Sequence, residues 1–65
     1  MNLKVVKKLF PYRVKVKDKD LRKYVGYSDL IPTYTCCSQA MYFVVFPKLN
    51  YDGYFDCNDV EELKK

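Results

Sequence analysis

Three cysteines, Cys36, Cys37 and Cys57, are the side chains of this 65-residue chain best equipped for covalent or metal chemistry. There is no histidine. A cysteine-only trio with two adjacent members does not match the spaced Cys/His ligands of a tetrahedral zinc site. Neighbouring residues on a strand point to opposite faces, and a free cysteine packs as a small hydrophobe. One of Cys36 and Cys37 is therefore expected in the core. Asp52 and Asp56 come nearest to a carboxylate pair, yet they flank an Asp52-Gly53 turn signal, where solvated acids stand. No serine sits in a nucleophile elbow, and no glycine-rich loop is present to hold phosphates. The chain is expected to have no catalytic residues, no metal site and no cofactor, and to be a binding protein rather than an enzyme.

Charge carries more information than these groups do. The formal charge is +4, but residues 1–25 hold +7 and residues 26–65 hold −3. Such a dipolar chain presents a basic region to nucleic acid, to an anionic surface or to an acidic protein. The candidate contacts are Lys4, Lys7, Lys8, Arg13, Lys15, Lys17, Arg22 and Lys23. Four tyrosines expected in or beside loops, Tyr24, Tyr27, Tyr51 and Tyr54, join them, because a ring with a polar tip suits a partner surface. Cations interleaved with aromatics also suit single-stranded nucleic acid. The competing reading is that a lysine-rich chain solvates its strands this way, and that a small core needs most of its seven tyrosines.

Size limits what can position these groups. A chain of this length buries only about 60% of the surface its unfolded form exposes. One small domain is expected over residues 1–65, its core within 11–63, dense with large rings. An odd cysteine count without a secretion signal points to the reducing cytoplasm. The longest apolar run, Ala40 to Phe46, has seven residues, far from the ~20 that cross a membrane.

The elements follow from periodicity. Leu3, Val5, Val6, Leu9 and Phe10 make one helical stripe with the lysines turned away, and Pro11 would end that helix at Phe10. A strand or extended arm is the rival reading of these ten residues. Tyr12-Arg-Val-Lys-Val-Lys17 alternates as a half-buried strand. Its Arg13, Lys15 and Lys17 serve either to protect a sheet edge or as a phosphate-facing stripe. Lys17 to Asp20 reads as a solvated turn, and Leu21 to Pro32 as a long loop with one helical turn begun at Ser28. Thr33 to Cys37 has strand propensity, and Ser38-Gln39-Ala40 is expected to link it to a central strand from Met41 to Phe46, apolar on both faces. Pro47 ends that strand. Lys48 to Gly53 then reads as a hairpin with Asp52-Gly53 at its turn, and Tyr54 to Asp56 as the return strand. Asn58 to Glu61 has capping-box spacing, which predicts a helical or 3-10 turn plugged by Val60 and Leu63.

Tyr12-Arg-Val-Lys-Val-Lys17, Tyr42-Phe-Val-Val-Phe46, and Asp52-Gly-Tyr-Phe-Asp56 followed by Asp59-Val-Glu-Glu-Leu63 resemble the first strand, central strand and terminal anchor of SH3-like small β-barrels. That type occurs in short phage- and mobile-element-encoded proteins and in KOW/Tudor-type modules. The resemblance implies a mainly β fold of about five short strands, with a short N-terminal helix and a C-terminal helical turn. It implies a host-directed accessory protein that binds and modulates or inhibits a larger protein. The alternative is a nucleic-acid-binding barrel using the basic first third, and self-association through an edge strand is a third partner arrangement.

Overall fold

The computed structural model describes residues 3–63. Helix α1 (Leu3–Leu9) is followed by six strands: β1 (Tyr12–Val16), β2 (Gly26–Ser28), β3 (Thr33–Tyr34), β4 (Ala40–Phe46), β5 (Tyr51–Asp56) and β6 (Val60–Glu62). Two 3-10 turns, Pro47–Leu49 and Cys57–Asp59, connect β4 to β5 and β5 to β6. The fold is mainly β, with antiparallel ladders throughout.

β4 is the hub. It pairs β5 from Met41↔Asp56 to Phe46↔Tyr51, and takes β2 and β3 in tandem along its other edge. β1 lies between β2 and β6, so the pairing path is β5–β4–β2–β1–β6. Among the described residues no ladder joins β5 to β6.

Alternation assigns the faces of β4. Tyr42, Val44 and Phe46 turn towards a core of Val14, Val16, Val44 and Phe46, fringed by Leu21, Tyr24, Leu30, Phe55 and Val60. Burying each valine or phenylalanine there contributes about 1.5–3 kcal/mol. Met41, Phe43 and Val45 point the other way, where the Phe43 ring lies 5.7 Å from Phe10 and 5.1 Å from Tyr54. Both faces of β4 are covered, as its unbroken apolar run requires.

At the N-terminus the helical reading holds and the width of its stripe does not. The Phe10 N–H still donates to the Val6 carbonyl at 2.7 Å, but only Val6 is buried, while Leu3, Val5 and Leu9 are exposed. A helix of two turns touches the sheet along a single line. β1 alternates as expected, with Val14 and Val16 buried and Tyr12 exposed at the strand end. It is an interior strand, however, so its basic row does not protect an edge.

The region between β1 and β4 holds more sheet than its sequence shows. Asp18 builds the first turn, its carbonyl accepting from Leu21 and Arg22 and its carboxylate from the Asp20 N–H. Ser28 starts no helix. It ends β2, fully buried, and its Oγ accepts from the Leu30 N–H at 3.0 Å. Leu30 takes a left-handed φ of 55°, and the Asp29 carboxylate accepts from Ile31. This jog lets β2 and β3 share one edge of β4. Gly26 is required by close approach, because a Cβ there would come within 2.5 Å of Val44 Cγ1.

Both expected hairpins change in detail. β3 stops at Tyr34, and Cys36 and Cys37 occupy a turn closed by Ser38 N–H to Thr35 carbonyl and by Thr35 N–H to Gln39 carbonyl. Ser38 supplies the left-handed residue, φ 63°, that a glycine would usually provide. Neither Cys36 nor Cys37 is in the core; both are exposed. Asp52 and Gly53 lie inside β5 opposite Val45 and Val44, because the Pro47–Leu49 turn and left-handed Asn50 reverse the chain earlier. Near the C-terminus the cap is Asp56, which accepts from the Asn58 N–H at 2.8 Å, and not Asn58 itself. The Cys57–Asp59 turn is 3-10, and Val60 to Glu62 form a strand, since pairing with β1 satisfies more backbone than another helical turn would. Val60 packs on the core as anticipated. Lys64 and Lys65, whose charge would match the negative end of a helical turn begun at Asn58, lie outside the described residues.

Candidate functional site

Arg13 projects from β1 on the face opposite Val14 and Val16, directly across from Tyr27 of β2. The turn after β1 brings Lys23 and Tyr24 to the same place, and the 3-10 turn after β4 brings Pro47 and Lys48. Together with Leu3 and Val25 they line a groove of about 470 Å³. Three cations surround an apolar and aromatic floor. Lys23 Nζ stands 5.7 Å from the centre of the Tyr24 ring, a cation–π arrangement that occupies one face of that ring.

A second, more open groove continues the basic surface. Lys15, Val16, Lys17, Arg22 and Glu61 line it. Lys15 lies directly opposite Glu61 in the β1–β6 register, and the Lys17 N–H donates to the Asp59 carbonyl at 2.9 Å. Opposite charges facing each other on a sheet contribute roughly 0.2–1 kcal/mol. This half of the basic row is thus partly answered by the chain's own acids, whereas the lining of the first groove contains no acid.

The sequence-derived residues therefore separate into groups. Arg13, Lys23, Tyr24 and Tyr27 come together in the first groove, and Lys15, Lys17 and Arg22 in the second. Lys4, Lys7 and Lys8 are on exposed positions of α1 and line neither. Tyr27 and Tyr51, expected in loop and turn, are strand residues of β2 and β5, and Tyr54 lies in β5 as its place in the return strand implied. Tyr54 lines a third groove with Thr33, Tyr34, Thr35 and Met41, in which there is no charged side chain. Lys48 belongs to the site and was not anticipated. It sits in the acidic half of the sequence, and only the antiparallel return of β4 carries it to Arg13.

Two titrations are shifted by local contacts, both at residues that do not line the basic groove. Burial pushes the Tyr42 phenol above its usual range, and the neighbouring Cys57 adds to the rise. The Asp56 carboxyl is held below its usual range, first by the Gln39 side-chain amide and then by the Asn58 N–H. That Gln39–Asp56 hydrogen bond ties the β3–β4 loop to the end of β5.

Among the described residues no group of three or more His, Cys, Asp or Glu side chains is placed to hold a metal ion. No described helix is long and apolar enough to cross a membrane. No family model, no curated protein and no solved structure matches this chain.

Proposed function

We propose that this protein is a non-catalytic binding module of the SH3-like small-barrel type, and that its groove over β1 and β2 takes an acidic segment of a larger protein whose activity it modulates. Strand order supports the fold assignment. β1 pairs with β2, β2 and β3 pair in tandem with β4, β4 pairs with β5, and after a 3-10 turn β6 returns beside β1. Three cysteines, none of them in a disulfide, support a cytoplasmic setting.

The observation that carries the choice of ligand is the composition of the first groove. Arg13, Lys23 and Lys48 line it together with Leu3, Tyr24, Val25, Tyr27 and Pro47, and no acid is among them, which suits an apolar side chain flanked by carboxylates. Single-stranded nucleic acid asks for exposed ring faces among the cations. Tyr24 and Tyr27 stand among the cations but are half-buried, and Lys23 already covers one face of Tyr24; the most exposed rings, Tyr34 and Tyr54 at 66% and 57%, lie in the uncharged groove.

Affinity capture from a host lysate, with the wild-type chain beside Arg13→Glu/Lys23→Glu/Lys48→Glu, tests the reading. A protein retained in stoichiometric amount by the wild type and lost by the triple variant is the expected result. Equal retention by both, or recovery of nucleic acid in place of protein, would overturn it. Phosphate-driven binding would also declare itself through salt, losing affinity with a slope near −0.9 per contact on duplex DNA.

A further inference from the structure

The edges of the sheet are unequal. β3 and β6 span two and three residues, whereas β5 runs for six, from Tyr51 to Asp56. Among the described residues β4 is the only ladder partner of β5. Its other side offers a row of backbone N–H and C=O groups to a further strand. The usual protections of such an edge are lacking, for β5 holds no lysine and no proline, and its ladder with β4 runs without a bulge. Two acids stand on it. The Asp56 carboxylate is already engaged by the Gln39 amide and the Asn58 N–H, which leaves Asp52 as the charge that a pairing strand must meet.

We propose that the protein forms a two-fold dimer in which the β5 strands of two copies pair antiparallel and continue one sheet through both. A two-fold axis normal to the sheet keeps every side chain on its own face, so only residues that share a face stand opposite one another. Two registers then engage all but one residue of each strand, with the axis at Gly53 or at Tyr54. The second sets Asp52 against Asp56 of the other copy, and like charges directly opposite destabilise a sheet. The first sets Asp52 against Tyr54 on one face and Tyr51 against Phe55 on the other, each twice. The carboxylate then meets a neutral, exposed ring, and the aromatic pairs add their own stabilisation. The ends are complementary too. Continuing this register lays the Pro47–Leu49 turn with Lys48 beside the Cys57–Asp59 turn of the other copy, which carries Asp59. The strand is complementary to itself, and this selects a second copy over an unrelated strand.

Sedimentation equilibrium of the full chain in a phosphine reductant, over a range of concentrations, tests the proposal. The wild type is expected to dimerise reversibly. Tyr54→Glu sets two like-charge pairs across the axis and should weaken the dimer about tenfold or more. Adding Asp52→Lys turns both into opposite-charge pairs and should restore it. Both positions are exposed, and unchanged far-ultraviolet circular dichroism would confirm that the variants fold. The register has its own readout. With Cys36, Cys37 and Cys57 replaced by serine, Gly53→Cys should link two copies under mild oxidation and Tyr54→Cys should not; a Cβ at position 53 meets only ordinary contacts. A wild type that stays monomeric at millimolar concentration would overturn the proposal. So would a dimer indifferent to Tyr54→Glu, a failure of Asp52→Lys to restore it, or linkage through position 54 in place of 53.

Discussion

The two ends of β4 differ in how firmly they are held. Val44, Val45 and Phe46 are fully buried, while Ala40 to Phe43 are only partly covered. Over the buried end stand Arg13, Lys23, Lys48 and the half-buried Tyr24 and Tyr27. Beside the looser end lie Tyr34, Met41 and Tyr54, without a charge among them, and beyond these the Cys36–Cys37 tip. The contrast has a physical basis. Arg13, Lys23 and Lys48 come from three separate segments, and their meeting at one groove depends on the pairing of β1, β2 and β4.

The largest way to break that contrast is to cut into the core at the buried end of β4, where Phe46 packs with Val14, Val16 and Val44. Phe46→Ala should cost about 3–5 kcal/mol, a large share of what a domain this small possesses, and chemical denaturation should show it partly or wholly unfolded. Gly26→Ala tests the same end by overpacking. Its added methyl meets Val44 Cγ1, and displacing a buried β-branched side chain should cost about 1–3 kcal/mol.

Smaller effects sharpen the comparison without unfolding either end. The triple reversal at Arg13, Lys23 and Lys48 should abolish partner capture while shifting the unfolding midpoint little, because all three are surface groups. Tyr54→Ser, at the other end, should leave capture intact. If it abolished capture instead, the uncharged groove would be the partner site. The smallest expected effect concerns Asp56. Its carboxyl is more acidic in the folded chain than in the unfolded one, so its contribution is present above the unfolded value and disappears as pH falls through the folded value. Asp56→Asn should therefore lower stability slightly at neutral pH, change little once the pH is below the folded value, and so flatten the acid side of the stability profile, as denaturation at a series of pH values would show.

Strict alternation at Val14 and Val16, the apolar run of β4 and the proline after it were legible because each is a local pattern with one stable outcome. The charge asymmetry of the chain supplied Arg13 and Lys23 as candidates, and expected places in or beside a loop supplied Tyr24 and Tyr27. Lys48 was not legible, since nothing near it in sequence is basic. The turns were misplaced for a related reason. Asp52-Gly53 has the composition of a hairpin turn, yet Asn50 accepts a left-handed φ of 50°, and six ladder pairs with β4 outweigh a local preference.

The amino-acid sequence by itself determined a mainly β chain with an apolar central strand, a short leading helix and a basic first third, because periodicity and charge count are properties of neighbours. Tertiary structure decided which cations face one groove, which tyrosines stand apart from them, and that two adjacent thiols converge. Those depend on strand register and on the left-handed residues Leu30, Ser38 and Asn50. Long-range pairing selects such conformations, and local propensity disfavours them.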